Sequence, residues 1–183
     1  MFLKGKKVVL CPISVDDISG PYLNWINSQE TDVYTEHAQF PHIPQSLLEY
    51  YTTKAKSKND VWLAIRTLDG NEHIGNIELS QINWTHKRAY FSILLGNLNY
   101  AGKGFAYEAA SLLINHGFNK LNLHRLQLGV HEDNTAAKKL YEKLGFIHEG
   151  ICREYFFRNG KHFNMIAMGL LASEFKYKID GTL

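Results

Sequence analysis

The sequence predicts an α+β domain, and three features predict it. Short runs rich in β-branched and aromatic residues recur at 61–65, 73–82, 88–95, 125–130, 146–151 and 163–170. Apolar residues at helical spacing fill 106–119 and 134–144, between strand-like runs. Turn signals separate these runs, at Asp69-Gly70, near His86-Lys87 and at Gly145. The 183 residues fit one domain, residues 1–183, with no internal repeat, low-complexity stretch or linker.

The remaining elements follow in chain order. Residues 6–13 read as a first strand that Pro12 ends or places at an edge. Ser14 followed by Asp16-Asp17 signals a helix start, and Ile18, Tyr22, Leu23 and Ile26 continue it at helical spacing, with Pro21 early in the segment. Residues 27–44 read as a long loop carrying Tyr34, His37 and Phe40. Loops of that length are uncommon without a function, because ordering them costs backbone entropy. Residues 45–57 read as a second helix.

Composition excludes several classes. The net charge of +2 gives no electrostatic reason to expect a nucleic-acid partner. Lys4, Lys6 and Lys7 read as a solvated strand edge. No apolar run resembles a signal peptide or reaches the roughly 20 residues of a membrane helix, so the expected location is the cytoplasm. Cys11 and Cys152 sit in apolar strand-like runs and are expected as buried free thiols. The nine histidines show no metal-ligand spacing, so no metal is expected.

Two segments carry chemistry. The first runs from Leu94 to Ala106 as strand, turn, glycine loop and helix start. Gly102 and Gly104 let backbone come close to a ligand, and the following helix presents unpaired N–H groups and a positive dipole end. That combination suits phosphate oxygens. It is neither a P-loop, whose spacing is absent, nor a dinucleotide fingerprint, because Tyr107 stands where the third glycine belongs. A Gly-x-Gly alone also fits a tight turn. The second segment runs from Asn134 to Phe146. Asn134, Ala137 and Tyr141 fall on one helical face. Singly, Asn134 reads equally as an N-cap and Tyr141 as core.

Taken together, the two segments resemble one family. Ala101-Gly102-Lys103-Gly104-Phe105-Ala106 resembles the Gln/Arg-x-x-Gly-x-Gly/Ala motif of the GNAT acetyltransferases, and the later run resembles their Asn-x-x-Ala-x-x-x-Tyr-x-x-x-Gly-Phe. The tail from Gly150 to Lys161 looks like the branch that includes ribosomal-protein N-terminal acetyltransferases. The resemblance implies a mostly antiparallel mixed sheet of about seven strands with about four helices. Strands 88–95 and 125–130 would splay to admit the pantetheine arm of acetyl-CoA. It further implies that Leu94 and Leu95 pair with pantetheine amides, that Asn134 and Ala137 border the arm, and that Gly102, Lys103, Gly104, Phe105 and Ala106 surround the pyrophosphate. Two positions depart from the pattern. Ala101 replaces Gln or Arg, and Ala137 stands where the ribosomal branch often has Ser.

Acetyl transfer to an amine requires a deprotonated amine, a polarised thioester carbonyl and a protonated leaving thiolate. Tyr141, with an ordinary pKa of about 10, suits the last task. Glu78 is the expected general base, since Asn76, Glu78 and Ser80 share one strand face; a solvated face is the equal alternative. Ser92, His131 and His148 are further candidates. Tyr34, His37, Phe40 and Trp84 would wall the acceptor or simply pack. The nearly neutral aromatic groove favours an amino sugar, free or nucleotide-linked, or a peptide N-terminus, over a polyamine. The expected state is monomer or homodimer. The alternative function is an acetyl-CoA-binding sensor or scaffold without turnover.

Overall fold

The structure is a computed structural model that describes residues 1–29, 34 and 39–177. Eight strands form one sheet: β1 Leu3–Lys4, β2 Val8–Pro12, β3 Val61–Thr67, β4 His73–Asn83, β5 Arg88–Leu95, β6 Arg125–His131, β7 Ile147–Arg158 and β8 Lys161–Leu171. Their order is β1-β2-β3-β4-β5-β6-β8-β7. Neighbours are antiparallel except β5 and β6, which are parallel. The short edge strand β1 is the one the sequence did not signal.

The first helix is interrupted. Ser14 caps α1 (Val15–Asp17) in a reciprocal capping box with Asp17. A wide π turn, Ile18–Tyr22, follows, in which Gly20 leaves helical dihedrals ahead of Pro21, and α2 (Leu23–Ile26) resumes. Helix α3 spans Pro44–Lys56, with proline at its first turn. Helix α4 spans Phe105–Asn119 and α5 spans Thr135–Leu144, closed by Gly145 at φ 98°.

The alternation of β3 sorts the two faces. Leu63 and Ile65 join the main core with Leu10, Ile77, Leu79, Leu113, Ile114 and Leu126. Ala64 instead packs with Ile13, Ile18, Tyr22, Ile26 and Leu47, partly covered by Trp62 and Leu94. Helix α4 therefore sits on one face of the sheet, and α1–α3 sit on the other.

Three local expectations are corrected. The β3–β4 connection is longer than a two-residue Asp-Gly hairpin: Thr67 and Glu72 bracket it, and the left-handed residue is Asn71 at φ 51°. The last two strands extend well past 146–151 and 163–170, because Asn159 (φ 51°) and Gly160 (φ 77°) make the tight turn that joins them. Cys152 is exposed on β7, whereas Cys11 is half-buried; both are free.

Candidate active site

Strands β5 and β6 pair only at Arg88–Arg125, Ala89–Leu126 and Tyr90–Gln127. Beyond Tyr90, the β5 backbone groups that face β6 have no strand partner among the described residues. Leu94 and Leu95 remain fixed from the other side by β4, opposite Asn76 and Gly75. A side chain at position 75 would place its Cβ 2.3 Å from the Leu94 carbonyl oxygen, so glycine there permits this approach. The divergence opens a cleft of about 940 Å³.

One end of the cleft is the glycine loop. Gly102 (φ 71°) and Gly104 (φ 85°) hold left-handed backbone, and Gly104 precedes α4 without a side-chain cap. The first amides of α4 are thus left without side-chain partners. Gly102, Gly104 and Ala106 line the cleft, and Lys139 and Lys143 of α5 join them. Lys103 and Phe105 do not line it. Lys103 offers its carbonyl to the Lys7 ammonium at 3.0 Å, and the Phe105 ring packs edge-on to Tyr100 at 4.9 Å. Lys7, read from sequence as a solvated edge, thereby braces the loop. Tyr100 donates to Glu72 Oε2 at 2.6 Å, which ties the turn before the loop to the β3–β4 connection.

The middle of the cleft belongs to α5. Asn134 Oδ1 accepts from the Ala137 amide at 3.0 Å, so it caps the helix, and both residues also line the cleft. Tyr141 lines it too, with its ring edge-on to Phe91 (6.2 Å) and Phe146 (5.8 Å). Burial pushes the Tyr141 phenol up to about 12. No hydrogen bond holds its hydroxyl among the described residues.

The far end is aromatic and acidic. Tyr22, Tyr50, Trp62, Asn76, Glu78 and Ser92 line it. Trp62 stands edge-on to both Tyr22 (5.8 Å) and Tyr50 (5.3 Å). Glu78 is ion-paired with Lys54 of α3, whose ammonium also meets Asp60 Oδ1 at 2.8 Å. Burial raises the Glu78 pKa above the usual carboxylate range, and Lys54 opposes that rise. Burial also raises the Tyr22 phenol. Asn76 is held by a buried polar chain: its Oδ1 lies 2.8 Å from His73 Nε2, and His73 Nδ1 lies 3.2 Å from Asp17 Oδ1. Arg66 completes the chain on Asp17.

The other candidates divide. Ser92 faces Glu78 across β4 and β5. The His131 ring lies among Phe156, Phe163 and Tyr34, and its Nδ1 accepts from the Asp133 amide at 3.2 Å. Its proton is therefore on Nε2 in the neutral form, and burial lowers its pKa. His148 lies outside the cleft, beside Glu142. Tyr34 lines the cleft, whereas Phe40 and Trp84 do not, and Trp84 donates instead to Asn59 at 2.9 Å. His37 lies outside the described residues. Sequence reading missed Tyr22, Tyr50, Trp62, Lys54 and Asp60. The signal available for Trp62 was its alternation with Leu63 on β3; the helix residues carried none.

A mixed sheet parted at its parallel junction, with a glycine loop and helix mouth at one end of the gap, defines the GNAT class of fold. The Acetyltransferase (GNAT) domain family matches residues 7–147, and the chain belongs to it. Spermidine N(1)-acetyltransferase of Escherichia coli K12 is 41% identical over 104 residues, covering 57% of this chain and 55% of that protein. In such alignments the chain spans little more than half the length of the curated relatives it matches. The crystal structure of spermidine N-acetyltransferase from Vibrio cholerae in complex with CoA and spermine superposes with a TM-score of 0.84 at 28% identity, covering 92% of this chain and 97% of that one. A dodecameric structure of the V. cholerae enzyme gives 0.77 at 27% identity, covering 91% and 95%. Among the described residues no helix is long and apolar enough to cross a membrane.

Proposed function

We propose that this chain, acting as one domain, is an acetyl-CoA-dependent N-acetyltransferase that acetylates a primary amine of the polyamine class by direct attack within a ternary complex. The observation that carries this reading is the continuity of one cleft, from the uncapped mouth of α4 past Tyr141 to Glu78. The mouth suits a diphosphate, the free β5 edge suits pantetheine amides, and Lys139 and Lys143 add positive charge beside the loop. The acceptor assignment departs from the amino sugar or peptide expected from sequence. Relatives named for spermidine support it, as does Glu78 among the aromatic walls of Tyr22, Tyr50 and Trp62, a setting suited to alkylammonium.

In this mechanism Glu78 takes a proton from the acceptor ammonium, directly or through water, and frees the lone pair. The amine attacks the thioester carbon. A backbone N–H of the unpaired β5 edge meets the developing oxyanion. As the C–S bond breaks, Tyr141 gives its proton to the thiolate, the attacking nitrogen sheds its remaining surplus proton through water to the Tyr141 phenolate, and Glu78 returns its proton to solvent. The burial that raises the phenol also raises a thiolate beside it, which keeps the transfer matched. The products are the acetamide and free CoA thiol. Two free cysteines and reliance on acetyl-CoA suit the cytoplasm. The exposed apolar side chains of Ile151 and Phe157, on one face of edge strand β7, together with the dodecameric neighbour, support self-association.

Thiol release over a panel of amines tests the reading. Saturable release that depends on an amine is expected. Saturable CoA binding with no such release would favour the sensor alternative.

A further inference from the structure

Asn76 is buried, at 4% exposure, yet it lines the cleft. Its neighbours fix which way its amide faces. His73 Nε2 lies 3.1 Å from the Gly75 carbonyl oxygen and 2.8 Å from Asn76 Oδ1. A backbone carbonyl can only accept, so Nε2 carries the proton and donates. Asn76 therefore turns its oxygen to His73, and its Nδ2 is the end left over. That Nδ2 is buried and has no hydrogen-bond partner among the described residues. A buried donor left unpaired costs about 1–3 kcal/mol, so one held this way at a cleft calls for an acceptor atom on the ligand.

The place of Asn76 narrows what that atom is. It sits opposite Leu94 of β5 and two residues before Glu78, so both side chains rise from one face of β4, about 7 Å apart. The reacting amine lies against Glu78 and about 3–3.5 Å from the thioester carbon. An ammonium has no lone pair, and the reacting amine directs its own at that carbon. A polyamine therefore offers Asn76 nothing, and the nearest acceptor is the thioester oxygen. His131 Nε2, also buried without a partner at the cleft, stands on β6 across the gap, with its ring among Phe156, Phe163 and Tyr34.

We propose that Asn76 is a further catalytic residue, whose side-chain amide donates to the thioester oxygen and shares the oxyanion with a backbone N–H of β5. The proposal rests on the acetyl transfer proposed above. As the amine attacks, the carbonyl π pair moves onto oxygen, and the Nδ2–H hydrogen bond strengthens with that charge. As the C–S bond breaks, the pair returns to re-form the carbonyl, and Asn76 keeps its proton throughout. His73, itself beside Asp17, holds the amide in place, so the donor need not reorganise during the reaction.

The test uses two variants of the full chain. Asn76→Leu removes the donor at similar volume. Asn76→Asp keeps an oxygen toward His73 and removes the donor, which guards against a Leu variant that fails to fold. Each should lower kcat about 10²-fold with 1,4-diaminobutane, read by thiol release, with both KM values kept within about threefold. Calorimetry supplies a readout that packing alone would not move. Acetyl-CoA and S-ethyl-CoA differ at the thioester oxygen; the wild type should bind acetyl-CoA several-fold more tightly, and both variants should lose that preference. A variant that weakens both compounds by one common factor overturns the proposal. An oxygen preference that vanishes in the variants of a protein releasing no thiol would overturn the proposed reaction and uphold the contact. Turnover at the wild-type rate by either variant would overturn the contact and leave the reaction standing.

Discussion

Tyr90 and Gln127 are the last residues at which β5 and β6 meet in register. Everything on the cofactor side of the candidate site depends on their being last. Continued pairing would satisfy the β5 edge with β6 and close the cleft. Instead, Leu128–His131 diverge, and α5 brings Asn134, Ala137 and Tyr141 into the gap.

Tyr141→Phe keeps the ring contacts with Phe91 and Phe146 and removes the proton. The expected result is a fall in kcat of about 10²-fold, the usual scale for one general acid, with acetyl-CoA affinity kept. Steady-state kinetics beside calorimetric CoA binding checks it; unchanged kcat removes Tyr141 from the reaction. The phenol also predicts a stability profile. Its folded pKa lies above the ordinary value of about 10, so its contribution is intact below pH 10 and is lost as pH rises toward 12. That loss is about 3 kcal/mol, absent in the Phe variant, and denaturant titration across pH 9–12 reads it.

Glu78→Gln tests the base. A carboxylate must be ionised to accept the proton, and burial raises the pKa of this one. The wild-type rate should therefore fall on the acid side through a limb above the ordinary carboxylate range. The Gln variant should lose roughly 10²-fold in acceptor-dependent rate and lose that limb. A pH–rate profile identical to wild type rejects the role.

Gly102→Ala addresses the loop. No heavy atom lies within 4 Å of an added Cβ, so the substitution adds backbone strain at φ 71° without a clash. Strain of about 1–2 kcal/mol is expected, with a several-fold or greater weakening of CoA binding and a small loss of thermal stability. Calorimetry and a melting curve separate the two. Intact CoA affinity would remove this loop from the binding surface.

Gly96→Ala tests how the helices seat on the strand end. A Cβ at position 96 would fall 1.9 Å from the Trp25 ring, so α2 must move or the ring must flip. Destabilisation of about 1–3 kcal/mol is expected, with a greater loss for acceptor than for CoA. Equal effects on both ligands would contradict this arrangement.

Phe157→Glu places a charge beside exposed Ile151 on β7. If that face is buried between copies, the variant should dissociate the assembly, and light scattering reads the mass of both forms. A monomeric wild type would remove the proposal of self-association.

Much of this was legible because its signals are local. Strand 88–95 emerged with its boundaries intact, as did the glycine loop and the Asn134 cap, since each depends on neighbours a few residues away. The break at Gly20 was less legible, because apolar spacing continues through Tyr22 and Leu23 while the dihedrals do not. The Asn159-Gly160 turn is also a local signal, and it fixes where β7 ends and β8 begins. Cys152 is exposed despite its apolar neighbours because β7 is an edge strand with its flanking residues exposed. The acceptor end was hidden for a different reason. Lys54, Asp60 and Glu78 become one cluster only when α3 lies across β3 and β4, and no spacing in the chain encodes that contact.

The two ends of the cleft are also rooted differently. The loop and α4 grow from the large core beneath the sheet, whereas the acceptor wall hangs on the small cluster of Ile13, Ile18, Tyr22, Ile26, Leu47 and Ala64. A protein engineer can therefore randomise an exposed position such as Tyr50 with little risk to the main core. Selection for new amines would then draw on a replaceable roof, while the nucleotide-holding foundation stays untouched.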